Sequence, residues 1–204
     1  MAEESMSGNA ESQVRPDDPE PIGMRTQPDA AIPVESERPS EARDAPGRHV
    51  HCRPYLALDF AMLYAVEEAC FTPPLRFDRP FMRRLLSSRR SSAWVAEDEG
   101  QIVGFAIAQV SGGARPLSAY LHTIEVLPDL RRRGVARELL GGVERSVVEL
   151  GAEVLDLHVD STNSDAILLY RSREFVPLAR EENFYPQGHA AIFFRKKLCA
   201  IATE

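Results

Sequence analysis

The stretch IEVLPDLRRRGVARELL, residues 124–140, changes periodicity halfway along. Ile124, Val126 and Leu127 read as the end of a strand, whereas Val135, Leu139, Leu140 and then Val143 recur at helical spacing. Between them, Pro128 and Asp129 break the strand, and Arg131, Arg132 and Arg133 run directly into Gly134. A strand, a glycine turn and a helix in that order build an anion site. The first N–H groups of a helix have no partner inside it and lie at the positive end of its macrodipole. Gly134 lets backbone approach a phosphate, Ala136 keeps a bulky side chain away, and the arginines add cationic reach. The same residues also read as a solvated basic turn. The pattern is neither G-x-x-x-x-G-K-[ST] nor G-x-G-x-x-G.

Outward from this stretch, apolar spacing predicts an alternating order of elements. A short strand covers 53–58, and a helix over 59–71 starts with Asp59 as N-cap. Pro73 and Pro74 end that helix, and Asp78 caps a second one to about Ser88. Strands follow at 93–98, 102–110 and 117–127. The helix after Gly134 runs to about Leu150, with Gly151 closing it. A strand at 152–160, a helix at 163–174 and two final strands around Gln187-Gly188 complete a mixed α/β sheet with helices on its faces.

A second stretch, NSDAILLYRSREF, begins about 30 residues after the arginine turn. Together the two resemble the GCN5-related N-acetyltransferase (GNAT) family over residues about 50–198. Its R/Q-x-x-G-x-G/A turn holds the pyrophosphate of acetyl-CoA, and its later helix carries N-x-x-A-x-x-x-Y. Within that family, LHVDSTNSDAILLY and NFYPQGHAAIFFRKKL are similar to the ribosomal-protein alanine and N-terminal amine acetyltransferases. Three positions depart from the pattern. Phe184 stands where the first tyrosine of a hairpin pair is usual, Arg173-Glu174 replaces a Leu/Phe-Gly, and Ala136 replaces the commoner glycine.

The resemblance implies a fold with a mostly antiparallel sheet of about seven strands and about four helices. It implies acetyl-CoA as cosubstrate and no metal. It assigns cofactor contacts to Ile124, Glu125, Val126, Arg131, Arg132, Arg133, Gly134, Val135, Ala136, Arg137, Asn163 and Ala166. It also places an amine-proton acceptor at His158 and an acetyl-facing group at Tyr120, and it aims the Tyr170 phenol at the thioester sulfur. Glu125, a charge in an apolar strand, reads as the mark of a bulge, and the Asn163 side chain as a partner either of the pantetheine arm or of the split between strands. Phe71, Pro73, Pro74 and Tyr185 are the acceptor-side candidates. His122 shares the face of Tyr120 by strand alternation and is either a channel residue or a second base. Each strand or helix residue among these also reads as ordinary packing.

Acyl transfer to an amine needs a neutral amine and a route for its proton. An α-amine, with a pKa of about 8, needs less help than a lysine at about 10.4. The resemblance implies direct acetyl transfer, in a ternary complex, to a protein or peptide N-terminus. A small amine as acceptor, or a non-enzymatic acyl-CoA-binding module, are the alternatives.

Composition limits the rest. The chain has 204 residues and a net charge of −7, most of it in residues 1–48. That segment has seven prolines, eleven acidic and five basic residues, and no aromatic residue. So little apolar surface cannot offset the entropy of ordering, so 1–48 is expected to be a disordered acidic tail before a domain at 49–200. The tail does not read as a targeting segment, although binding a basic partner through its charge is a further role open to it. The remaining domain is nearly neutral, which argues against nucleic-acid binding. No run reaches the roughly 18 apolar residues of a membrane helix. Cys52, Cys70 and Cys199 lack metal-like spacing and read as reduced thiols of a cytoplasmic protein.

Overall fold

The computed structural model describes residues 50–111, 113, 117–186 and 188–199. The acidic segment 1–48 lies outside them. Seven strands form one sheet: β1 (His51–Pro54), β2 (Ser91–Asp98), β3 (Gln101–Val110), β4 (Leu117–Val126), β5 (Ala152–Asp160), β6 (Val176–Glu181) and β7 (Ala191–Lys197). Their spatial order is β1-β2-β3-β4-β5-β7-β6. All neighbours are antiparallel except β4 and β5. Four helices accompany the sheet: α1 (Phe60–Cys70), α2 (Arg79–Ser87), α3 (Val135–Glu149) and α4 (Ser164–Ser172). This is the element order predicted from the sequence, and the seven-strand, four-helix architecture implied by the resemblance.

Two details near the start differ from the expectation. The first strand ends at Pro54, ahead of the predicted 58, and a short 3-10 turn fills 57–59. Asp59 precedes α1 but makes no capping bond to it. Its buried carboxylate instead accepts two bonds from the Arg53 guanidinium, at 2.7 and 2.9 Å, and one from the Leu56 N–H. A fully buried carboxylate is costly unless paired, and the pair outweighs a cap. Asp78 does cap α2, accepting from the Phe81 N–H at 2.6 Å.

The sheet separates two cores. On one face α1 and α2 bury Phe60, Leu63, Met82 and Leu85 against Val95, Phe105 and Ile107. On the other, α3 and α4 bury Leu139, Leu140, Val143 and Tyr170 against Ala106, Leu121, Leu157 and Phe194. Close approach of α3 depends on Gly142, where an added Cβ would lie 2.4 Å from the Trp94 ring. Every residue of β6, at the sheet edge, is exposed.

The sheet opens at its centre. β4 and β5 pair only from Leu117–Tyr120 against Ala152–Asp156. Beyond that point β4 stays with β3 to Val126, and β5 stays with β7 to Asp160. The cause lies on β4. The adjacent residues Ile107 and Ala108 of β3 face Thr123 and Leu121, so His122 is an extra residue in the ladder. Such a bulge bends and twists its strand. The bulge is thus at His122, whereas Glu125 sits in regular register opposite Phe105.

Candidate active site

The parting of β4 and β5 brings together side chains from four places in the sequence. Tyr120, the last β4 residue paired to β5, shares a face with Asp156, and His158 follows two residues further along the same face of β5. The Tyr120 hydroxyl lies 2.9 Å from His158 Nδ1. On the other side of the ring, His158 Nε2 lies 3.2 Å from Oε1 of Glu181, at the end of β6. The imidazole is stacked on Phe184, with centroids 4.5 Å apart and planes at 12°, and it also touches Phe193 of β7. His158 is buried, while the Glu181 side chain is 45% exposed. The structure therefore joins His158 and Tyr120, and it adds Glu181 and Phe184, which the sequence reading did not select for the site. A stacking role for Phe184 was signalled only by its place in the tyrosine pair. Glu181 left no signal, because its partner is 23 residues distant.

Tyr170 arrives from the opposite face. It is fully buried on α4 against Phe175 and Phe194. Burial, and then the nearby Tyr120, push its phenol well above the ordinary tyrosine range. The two phenols, on strand and helix, thus come within electrostatic reach of one another at the opening.

His122 does lie beside Tyr120, ring edge to ring face with centroids 5.2 Å apart, although through the bulge rather than through simple alternation. It is 3% exposed, and neither ring nitrogen has a hydrogen-bond partner among the described residues. Desolvation lowers its pKa from 6.5 to about 4. His122 is therefore a neutral ring at neutral pH. Glu125 is buried and accepts a bond from the Thr123 hydroxyl at 2.7 Å.

Below the opening, the β4–α3 turn takes a tight course. Arg132 and Gly134 both have positive φ, 62° and 86°. The left-handed conformation suits glycine and strains arginine. Arg131 braces the turn, its Nε donating to the Val126 carbonyl at 3.0 Å. Arg132, Arg133 and Arg137 are exposed, Val135 is buried in the core and Ala136 is half-buried. Glu138 is the first residue to donate within α3, to the Gly134 carbonyl, so the N–H groups before it are the ones a helix leaves for an anion. The acid of that first turn, Glu138, is hydrogen-bonded instead to Cys52. Burial, aided by Glu138, pushes the Cys52 thiol up to about 12, which leaves it unreactive.

Asn163 has a structural use that the sequence reading did not name. Its Oδ1 accepts from the Ala166 N–H at 2.9 Å, capping α4. That bond starts the helix that carries Tyr170, and Ala166 packs at the edge of the core. On the acceptor side, Phe71 is buried in the α1/α2 core, whereas Pro73 and Pro74 are exposed in the loop after α1. Tyr185 is buried against Phe184. His189 of the same hairpin holds Asp160 at 2.7 Å, tying the hairpin to the end of β5. Among the described residues there is no group of three His, Cys, Asp or Glu side chains able to hold a metal.

A family model described as the acetyltransferase (GNAT) family matches residues 60–175. A ribosomal protein bS18-alanine N-acetyltransferase of Salmonella typhimurium is 37% identical over 93 residues, 45% of this chain and 60% of that protein. The catalytic subunit ard1 of the N-terminal acetyltransferase A complex of Schizosaccharomyces pombe is 30% identical over 114 residues, 53% of this chain and 64% of that protein. The chain thus spans less than two thirds of the length of either relative. The structure of Arabidopsis thaliana NAA60 in complex with acetyl-CoA superposes with a TM-score of 0.64 at 21% identity, covering 73% of this chain and 99% of that one. At that identity the likeness is one of fold.

Proposed function

This chain belongs to the acetyltransferase (GNAT) family, matched over residues 60–175, and on that premise we propose that it moves an acetyl group from acetyl-CoA directly to the N-terminal α-amine of a protein or peptide. The observation that carries the reading is the contact between Tyr120 and His158 at the point where β4 and β5 part. It sets a proton-accepting pair beside an unpaired length of β4, with a helix N-terminus at its far end.

The residues fit acetyl-CoA. A Cβ at Gly134 would meet nothing within 4 Å, so the turn presents open backbone. The start of α3 and the exposed Arg132, Arg133 and Arg137 would hold phosphates. The edge of β4 at Ile124–Val126, which has no β5 partner, would lie along the pantetheine arm. The thioester supplies the activated acyl carbon. Tyr120 and His158 hold the route for the amine's proton. To Tyr170, whose phenol burial holds protonated, we assign the proton for the departing sulfur.

Relatives named as N-terminal or ribosomal-protein acetyltransferases support the choice of acceptor. So does the openness of the β5–β7–β6 side, where β6 is exposed throughout. The loop at Pro73 and Pro74, His122 and the hairpin at Phe184 and Tyr185 would receive the peptide's first residues. Cys52, Cys70 and Cys199 are all free thiols, and we place the reaction in the cytoplasm. The test is incubation with acetyl-CoA and a peptide library varied at its first two positions, read by mass spectrometry. Acetylated N-termini are expected. Acetylation of polyamines or aminoglycosides but of no peptide would transfer the site to small amines, and acetyl-CoA binding without transfer would make it a binding module.

A further inference from the structure

We propose that Glu181 is a positioning residue: it fixes the tautomer of His158 and thereby makes the Tyr120 oxygen, rather than the imidazole, the group that meets the acceptor amine. The inference rests on the acetyl-transfer reading for its chemistry, but not for its geometry.

An ionised carboxylate can only accept hydrogen bonds. With Glu181 Oε1 3.2 Å from His158 Nε2, that nitrogen carries the proton. In a neutral imidazole the other nitrogen, Nδ1, is then an acceptor. The group in front of it is the Tyr120 hydroxyl, 2.9 Å away, which must donate. The phenol's proton points at His158 and its lone pairs point away. The reverse tautomer would set a nitrogen lone pair against the carboxylate and turn the phenol's proton outward, where it could not receive another.

Both nitrogens of His158 are therefore engaged, and the amine can reach the pair only through Tyr120. As the C–N bond forms and the C–S bond breaks, the sulfur leaves with the electron pair. The amine's proton passes to the Tyr120 oxygen while the phenol's own proton passes to Nδ1. An imidazolium results, held between a phenol and a carboxylate. Aspartate performs this office for histidine in serine proteases.

The surroundings are arranged for a fixed ring. Phe184 and Phe193 hold its plane. The polar and charged groups on the same side of the sheet include Tyr120 on β4, Asp156 and Asp160 on the ring's own strand, with Asp160 held by His189, and Arg195 on β7. Arg195 lies over the Phe193 ring and is paired with Asp156 at 2.7 Å, so its charge is offset by that carboxylate. Arg180, the neighbour of Glu181, bonds Glu182 instead. Glu181 itself ends an edge strand whose residues are all exposed.

Two measurements on the full chain decide the matter. Imidazole nitrogen chemical shifts from the ¹⁵N-labelled protein should show His158 protonated at Nε2 and bare at Nδ1. Glu181→Gln, whose carbonyl can still accept, should keep that signature, and Glu181→Ala should lose it. A wild-type ring protonated at Nδ1, or spectra unchanged in Glu181→Ala, would overturn the proposal without reference to any activity. With peptide and acetyl-CoA, Glu181→Ala should lower kcat roughly tenfold or more at unchanged acetyl-CoA affinity, with partial recovery in Glu181→Gln. In a His158→Phe background Glu181→Ala should cost nothing further; an equal loss there would show that Glu181 acts on something else. A wild-type protein that acetylates no amine would refute the acetyl-transfer reading, and the nitrogen shifts would still judge Glu181.

Discussion

His122 shows how one buried side chain couples the site to pH. Its pKa is lowered to about 4 by desolvation, while an unfolded histidine titrates near 6.5. Between those values the unfolded chain binds a proton that the folded protein refuses. Stability is therefore complete above pH about 6.5 and declines as pH falls toward 4, by roughly 3 kcal/mol over the window. Denaturant melts of the wild type and of His122→Leu at pH 7, 6, 5 and 4.5 check this: the variant should lose less stability on acidification. Parallel slopes would mean that His122 is not held neutral by burial. A pKa lowered to about 4 also makes His122 a weak proton acceptor at neutral pH.

Two element ends show what a glycine does, one by its presence and one by its absence. Gly134, at φ 86°, caps α3 with open space around its α-carbon. Gly134→Glu would force a side chain into the left-handed region and set a negative charge at the helix N-terminus we propose for phosphate. Acetyl-CoA affinity should fall at least tenfold by calorimetry, with the far-ultraviolet spectrum retained; unchanged affinity would detach the turn from the cofactor. At the end of α4 the resemblance leads one to expect glycine, and the chain has Glu174. The backbone keeps the glycine conformation all the same, with φ at 68° and the Glu174 N–H bonded to the Arg171 carbonyl. The helix exit is thus preserved at the cost of strain. Glu174→Gly should raise stability by about 1 kcal/mol and leave turnover unaltered. A loss of stability would show that the Glu174 side chain contributes more than its backbone costs.

For the molecule as a whole, we propose that residues 1–48 are dispensable for folding and catalysis. The described domain has two continuous cores, one on each side of the sheet, and its first strand pairs from His51 onward. A protein beginning at His49 should melt within about 2 °C of the full chain and retain its kcat. A clear drop in either would show that the acidic segment packs on the domain or serves the site. Among the described residues no helix is long and apolar enough to cross a membrane.

The order of elements was legible in the sequence because it depends on local periodicity, and α3 begins where the change at residue 134 requires it. The arginine–glycine turn was legible for the same reason, being a property of contiguous residues. Asp59 misled because a capping position and a buried ion-pair position look alike in one dimension, and only the proximity of Arg53 distinguishes them. Asn163 was read for its contact with the cofactor arm, and its use as the cap of α4 was not, again because a neighbour's N–H decided it. His158 and Tyr120 were named from the resemblance, but Glu181 and the hydrogen bonds that join the three lay beyond the sequence. The three meet because β7 inserts between β5 and β6, and because the bulge at His122 parts β4 from β5 just past Tyr120. Local pattern determined which elements form and in what order; strand insertion and register, which depend on contacts between residues far apart in the chain, decided which side chains meet.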